Sequence, residues 1–221
     1  MTKVKLVRSY DEAGNIRTFV FETGGATWQA GQYQTWELPQ IEDAKARKHF
    51  FTIAAAPSEE EFHISTRISD SVYKQTLNSL QPGSEIEVHD IEGDFTWEDD
   101  KPVVLVAGGI GVTPYRSILI ERAALGKSLN AHLLYFGRDE NFAFRFEFDQ
   151  LASMHPELTI DYSIGEPITA DTILAHAPEA AEKVTYLSGP EPMVDAVGEE
   201  LQKRGVALKQ DWFPGYTEKT Y

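Results

Sequence analysis

The chain has 221 residues, and its composition excludes several classes of protein. Its 20 basic and 35 acidic side chains give a net charge of −15, and a field of that sign repels nucleic-acid backbones and anionic lipid surfaces. The absence of cysteine excludes disulfides, thiolate metal sites and cysteine-ligated iron–sulfur clusters. No apolar run reaches the ~18 residues of a membrane helix, and the N-terminus lacks a signal-peptide block. We expect a cytoplasmic protein with no membrane span and no nucleic-acid partner, whose redox chemistry would need a bound organic cofactor.

The first hundred residues consist of short apolar or alternating segments separated by glycine and proline turns. Such segments are typical of β-strands, and many of them at close spacing predict a small antiparallel β-barrel or sandwich. The predicted strands cover residues 4–7, 17–21, 33–38, 50–54, 61–66 and 85–89. One short helix is predicted over residues 71–80, with Ser69 or Asp70 as its N-cap.

After residue 100, strands alternate with helical patterns, which predicts a parallel sheet with helices on both faces. Strands are predicted over residues 103–107, 132–136, 158–162, 184–188 and 206–210. Helices are predicted over residues 113–125, 142–154, 170–176 and 191–204. The first of these helices has Thr113 as its expected cap and Pro114 at its first position. The sequence therefore predicts two domains, a β-barrel over residues 1–99 and an α/β domain over residues 100–221.

A glycine-rich turn between the predicted strand and helix, residues 107–114, is the sharpest local signal. Glycines allow a ligand to approach the backbone closely, and free amides at a helix start attract phosphate. The same turn occurs in methyltransferase-like folds, so a non-redox nucleotide-binding module is an alternative interpretation.

Three further segments are candidates for ligand binding. Residues 48–57 carry aromatic rings and a hydroxyl that suit a flat ligand, although a core strand would look the same. Residues 66–74 place cations beside a helix start, which suits a diphosphate or an ordinary capped surface helix. Residues 186–193 form a strand end of the kind where α/β sheets bind ligands, although a plain turn uses the same residue types.

Taken in order, these segments resemble the ferredoxin–NADP reductase family of flavoprotein reductases. The resemblance runs from Gly31 to Tyr216. It implies a flavin-binding barrel joined to an α/β domain that binds NAD(P)H. It also implies an oxidoreductase that passes hydride from NAD(P)H to a bound flavin and then electrons to a separate acceptor.

On the flavin side, the resemblance implies that Phe51 packs on the isoalloxazine ring and that Thr52 hydrogen-bonds its N5 edge, with Ile53 next in the strand. His49 stands where the family has an arginine that pairs with the diphosphate, so FAD is expected and FMN is left open. The segment that matches the family's diphosphate site comprises Ser71, Val72, Tyr73 and Lys74. Lys74 or Arg67 would supply the missing charge.

On the nicotinamide side, the resemblance assigns the pyrophosphate turn to Gly109, Gly111, Thr113 and Pro114. Arg138 would pair with a 2′-phosphate, whereas the adjacent Asp139 would bond a 2′-hydroxyl, so NADH and NADPH both stay open. The segment near the nicotinamide ring matches at Ser188, where the family usually has cysteine, and at Gly189, Pro190 and Met193.

The expected catalytic residues are Thr52, Ser188 and Trp212. In the family a C-terminal aromatic ring covers the flavin; Trp212 is the first choice here, and the alternatives are Phe213, Tyr216 and Tyr221. The acceptor would be a ferredoxin, a flavodoxin, a quinone, a small molecule or a partner subunit. A basic cluster at residues 45–49 would attract an acidic partner. The alternative reading is an electron-transfer subunit of a larger complex.

Overall fold

The computed structural model describes residues 1–97 and 99–213, with Phe213 described by its backbone only. The N-terminal sheet is antiparallel and has the strand order β4-β3-β6-β1-β2-β5. Its strands are β1 (Thr2–Ala13), β2 (Ile16–Phe21), β3 (Tyr33–Glu37), β4 (Lys48–Thr52), β5 (Phe62–Arg67) and β6 (Glu85–Glu92). Beyond the end of β4, the amide of Ala54 donates to the carbonyl of His63 on β5, 3.0 Å away, so the two edge strands approach each other. The sheet therefore curls into a half-barrel.

The second sheet is parallel and has the strand order β11-β10-β7-β8-β9. Its strands are β7 (Val103–Gly108), β8 (Ala131–Gly137), β9 (Leu158–Ile164), β10 (Val184–Pro190) and β11 (Leu208–Phe213). The helices of the chain are α1 (Val72–Ser79), α2 (Thr113–Ala124), α3 (Arg145–Met154), α4 (Ala170–His176) and α5 (Glu191–Lys203). Within the described ranges the longest helix has 13 residues, and none is both long and apolar enough to cross a bilayer.

Strand β7 explains how the parallel sheet is packed. Val103, Leu105 and Ala107 join the core on one face, and Val104 and Val106 join the core on the other. Because both faces are covered, the strand is apolar throughout. The first of these cores also takes in Ala54 and Phe95 from beside the half-barrel, so the two sheets share apolar packing. The predicted fold class, an antiparallel barrel-like sheet followed by an α/β parallel sheet, is confirmed.

The predicted helix starts are wrong in three places, each for a local reason. Helix α1 is capped by Ser71, whose hydroxyl accepts from the Lys74 amide, and not by Ser69 or Asp70. Thr113 is not the cap of α2, because Val112 before it is already helical and the Thr113 hydroxyl donates to the Ile110 carbonyl. Helix α3 starts at Arg145 and not at residue 142, because Phe144 has a left-handed backbone with φ of 62°.

Candidate functional site

A narrow cleft separates the end of β4 from the carboxyl edge of the parallel sheet. The half-barrel side of the cleft is formed by Phe50, Phe51, Thr52, Ser65 and Thr66. The opposite side is formed by Ile110, Gly111, Thr113, Ser188 and Gly189. The cleft holds about 30 Å³, close to the volume of one water molecule. The structure thus brings together residues from four segments that are separate in the sequence.

Thr52 is the most conspicuous polar group in this cleft. It is only 4% exposed, and its hydroxyl has no hydrogen-bond partner among the described residues. Strand β4 ends at Thr52, and the amide of the next residue, Ile53, donates a hydrogen bond to the carbonyl of Gln32 at 3.0 Å. Leaving a buried hydroxyl unpaired costs about 1–3 kcal/mol, so such a group needs an explanation. A ligand atom bound in the cleft would supply one.

Gly111 is required by a close approach between two elements. A Cβ atom built on this residue would lie 2.5 Å from the Ser188 carbonyl oxygen and 2.6 Å from the Gly189 Cα. Both distances are far below contact, so only glycine allows the turn before α2 to rest on the end of β10. Because β7 and β10 are parallel neighbours, their carboxyl ends form one edge of the sheet, where α/β folds bind ligands.

Of the basic groups expected at the flavin diphosphate, His49 is neutral and Lys74 carries a positive charge at pH 7. Burial, together with the charge of Lys74, lowers the pKa of His49 to about 4, so its imidazole is neutral at pH 7. Its ring lies 4.2 Å from that of Tyr73. Lys74 is the buried cation, and its amino group donates to the Thr66 hydroxyl at 2.8 Å. Burial and the nearby Arg67 lower the pKa of Lys74 to about 8, which leaves it mostly charged at pH 7.

The remaining flavin-side residues lie in three different environments. Ile53 is fully buried in the half-barrel core. Ser71 uses its hydroxyl to cap α1, and Val72 is exposed at the first position of that helix. Phe51 is buried with its ring 5.8 Å from that of Tyr73.

A larger cavity of about 530 Å³ follows the carboxyl edge of the parallel sheet. The predicted residues that line it are Arg67, Gly109, Arg138, Pro190 and Met193. Arg67 therefore faces the nucleotide side, and its guanidinium also donates to Asn15 at 2.8 Å. Pro114 does not line this cavity; it is buried in the first turn of α2.

Arg138 and Asp139 differ in where their side chains are used. Arg138 lines the cavity, whereas the Asp139 carboxylate accepts the Asn141 amide at 2.9 Å within its own turn. Glu166, an acid outside the predicted set, does line the cavity. Its carboxylate accepts a hydrogen bond from the Ser163 hydroxyl and lies 2.9 Å from Nε2 of His176.

Asp211 is a buried acid that the sequence analysis missed. It lies on β11 directly beside Ser188 of β10, and the Ser188 hydroxyl donates to its Oδ2 at 3.4 Å. Burial raises the pKa of Asp211 to about 7, and the nearby carboxylate of Asp94 adds to the shift. Only the pairing of β10 with β11 places this acid at the edge of the cleft. The sequence shows only an aspartate next to Trp212, which gives no indication that this side chain is buried.

Trp212 follows Asp211 and is 40% exposed, and its backbone pairs in register with Gly189. The alternatives for the covering ring, Tyr216 and Tyr221, lie outside the described residues, as does the side chain of Phe213.

The charge of the basic cluster at residues 45–49 is partly compensated by the single negative charge of Glu37. The buried carboxylate of Glu37 pairs with Arg47 and with Lys48, at 2.5 and 3.2 Å, and Nε2 of His89 lies 2.7 Å from the same carboxylate. Long-range attraction of an acidic partner by this cluster is correspondingly weakened.

Comparisons with known proteins agree with this architecture. Residues 105–199 match the oxidoreductase NAD-binding domain family. A flavohemoprotein of Pseudomonas putida is 29% identical over 93% of this chain, and the reductase component of a propane 2-monooxygenase of Rhodococcus jostii is 24% identical over 94%. The chain spans 56% and 60% of the lengths of these two relatives.

A solved ferredoxin NADP⁺ reductase of Neisseria gonorrhoeae, with bound FAD and NADP, superposes with a TM-score of 0.78 at 14% identity. The superposition covers 96% of this chain and 98% of that one. The fold is the two-domain fold of the ferredoxin–NADP reductases, and the matched domain is an oxidoreductase NAD-binding domain. The predicted resemblance to the ferredoxin–NADP reductase family is confirmed for the fold and for this domain.

The raised pKa of Asp211 predicts a pH-dependent stability. The folded protein keeps this proton up to about pH 7, whereas the unfolded chain loses it near pH 4. The folded state therefore binds more protons between these values, and the Asp211 contribution to the free energy of unfolding falls as the pH rises. We expect Asp211→Asn to remove this part of the pH dependence and to gain stability relative to the parent protein at about pH 8.

Chemical denaturation of both proteins at about pH 5 and about pH 8 measures this difference. Asp90→Asn, which changes an exposed acid on β6, is the control and should leave the pH dependence in place. Parallel pH profiles for the parent and Asp211→Asn would show that the Asp211 pKa is not raised.

Proposed function

We propose that the chain is an NAD(P)H-dependent flavin oxidoreductase that binds FAD in the cleft and transfers hydride from NAD(P)H to it. The observation that carries the proposal is the unpaired, buried Thr52 hydroxyl facing the Gly111 turn across a cleft. The match to the oxidoreductase NAD-binding domain family favours this function over a non-redox nucleotide-binding module. We assign residues 1–99 to the flavin-binding domain and residues 100–221 to the NAD(P)H-binding domain, and we propose a cytoplasmic location.

The residues at the cleft fit a flavin in three respects. Thr52 offers a hydrogen bond to a polar ring edge, and Phe51 and Phe50 offer aromatic packing. Lys74, a buried cation on the side of Thr66, suits a phosphate group. The cleft is narrow, so a flat ring enters only where side chains give way. Phe50, which is 40% exposed, can move at little cost.

When bound, a flavin accepts two electrons as hydride and releases them singly or in a pair. The protein contributes orientation and electrostatics. Thr52 would align the reactive edge of the ring by a hydrogen bond, and Gly111 brings the turn before α2 against the end of β10 at Ser188. Gly109 lines the larger cavity just ahead of α2, where amides at the start of a helix would hold a pyrophosphate. Ser188, in place of the family's cysteine, would border the nicotinamide ring.

We propose that electrons leave to a separate acceptor that docks near the cleft. The similarity to a monooxygenase reductase component supports the related alternative, an electron-transfer subunit of a larger complex. Turnover with free flavin or ferredoxin in the absence of any partner favours the stand-alone enzyme. Turnover only after a partner protein is added favours the subunit.

The role proposed for the Thr52 hydroxyl can be tested by removing it. We expect Thr52→Val to lower the rate of flavin reduction by NAD(P)H about fivefold, because the lost hydrogen bond is worth roughly 1 kcal/mol. Flavin content should change little, because the aromatic packing stays. Anaerobic stopped-flow absorbance measures the rate, and the visible spectrum measures the flavin content.

Thr185→Val is a matched control for this experiment. Thr185 is also buried with an unpaired hydroxyl within the described chain, but it lies within β10 away from the cleft. Its variant should reduce flavin at the parental rate. Equal rates for Thr52→Val and the parent would remove Thr52 from the reaction.

The preference of the protein for NADPH or NADH can be tested at Arg138. We propose that Arg138 binds the 2′-phosphate of NADPH, because its cationic side chain lines the nucleotide cavity and Asp139 does not. Arg138→Ala should lower kcat/KM for NADPH at least tenfold and leave that for NADH nearly unchanged, since a charge-assisted hydrogen bond to phosphate is worth about 1.5–3 kcal/mol. Asp139→Asn is the control. An unchanged ratio of the two kcat/KM values for Arg138→Ala would contradict this assignment.

A further inference from the structure

Arg116 connects the two sheets through an unusually complete set of hydrogen bonds. Its side chain is only 3% exposed, and all five N–H groups of its guanidinium donate. Nη1 donates to the Ala54 carbonyl and to Glu59 Oε2, each at 2.8 Å, and Nη2 donates to Glu59 Oε1 at 2.9 Å. Nη2 and Nε also donate to the two carboxylate oxygens of Glu147, at 2.8 and 2.7 Å. The group is therefore held by two elements at once.

These bonds end close to both sides of the cleft. Ala54 lies two residues beyond Thr52, where β4 has ended. Arg116 itself lies in the first turn of α2, directly after the Gly109–Val112 turn that carries Gly111. The next residue, Ser117, adds a bond from its hydroxyl to the Ala55 carbonyl at 2.7 Å. The turn on the nucleotide side and the strand end on the flavin side are thus tied together within a few residues of the cleft.

This contact fixes the positions of the side chains that it joins and adds little to the stability of the folded protein. Burying an arginine with two carboxylates gives little net free energy, because desolvation cancels most of the attraction. Its planar fork does fix the carboxylates of Glu59 and Glu147 in direction as well as distance, which lysine cannot do. The ring of Phe144 lies 5.2 Å from the guanidinium carbon and adds a further restraint.

We propose that Arg116 is a positioning residue that sets the separation of Thr52 from the Gly111 turn and so controls the rate of hydride transfer. This inference rests on the proposed function. Hydride transfer depends steeply on the distance and alignment of the reacting atoms, and a misplacement of about 1 Å costs up to about a hundredfold in rate. Arg116 lines neither the cleft nor the larger cavity, so its effect would be on the rate and not on affinity.

The test is Arg116→Lys, which keeps the charge and loses the fork. We expect the limiting rate of flavin reduction, measured against NAD(P)H concentration by anaerobic stopped flow, to fall about tenfold or more. The dissociation constants for flavin and NAD(P)H should stay within about twofold of the parental values. The long-wavelength absorbance that arises when nicotinamide and flavin rings stack should weaken in parallel.

Arg122→Lys is the matched control. Arg122 lies on the same helix and is equally buried, at 3% exposure of its side chain, but it binds the carbonyls of Trp97 and Asp99 and the carboxylate of Asp100. This variant loses a similar buried fork without touching the segment after Thr52. It should retain the parental reduction rate and the stacking absorbance.

Three outcomes would overturn the inference. They are an unchanged limiting rate in Arg116→Lys, an equal loss in Arg122→Lys, and a loss explained wholly by weaker binding. If Arg116→Lys does not fold, Ser117→Ala tests the inference, because it removes one hydrogen bond from the same contact. Its limiting rate of flavin reduction should then fall by a smaller factor, with the dissociation constants unchanged. A parent protein that binds flavin but does not reduce it would instead contradict the proposed function itself.

Discussion

The rest of the site depends on one constraint: the strand that ends at Thr52 must stay against the turn that contains Gly111. Across this contact, the side chains of Arg116 and Ser117 donate to the carbonyls of Ala54 and Ala55, just beyond Thr52. The half-barrel and the parallel sheet also share apolar packing that includes Ala54. On the parallel-sheet side, Gly111 lets the turn rest on the end of β10, where a single methyl group would clash. Together these contacts hold the two walls of the cleft in place.

Charge is distributed to suit such a cleft in an otherwise acidic chain. The net charge of −15 is carried mainly by exposed carboxylates, whereas the cations near the two ligand cavities are few and placed individually. Lys74 lies on the flavin side and Arg138 on the nucleotide side, with Arg67 facing the nucleotide cavity from the half-barrel. His49 adds no charge at pH 7, because burial beside Lys74 keeps it neutral. A negatively charged chain can in this way bind phosphate groups by local contacts.

Most of the fold could be predicted from the sequence because it follows local periodicity. The helix over Ala170–His176 was predicted with its observed bounds, and the apolar run of β7 indicated a strand buried on both faces. The predicted helix starts were wrong where the backbone conformation departs from the hydrophobic pattern. At Phe144, for example, a left-handed backbone makes α3 start three residues later than predicted. In the site, Thr52, Gly111 and Ser188 could be found because each belongs to a recognisable segment. Asp211 and Arg116 could not, since their surroundings are created by strand pairing and by the contact between the two sheets.

The most direct test of the central claim is the binding of a flavin to the purified protein. The chain is incubated with FAD, freed from excess by gel filtration, and examined by visible absorption, with FMN in a parallel sample. We expect the protein to emerge yellow with about one FAD per chain, and anaerobic NAD(P)H to bleach the colour by direct transfer of hydride. A folded protein that emerges colourless after both incubations would contradict flavin binding in the cleft.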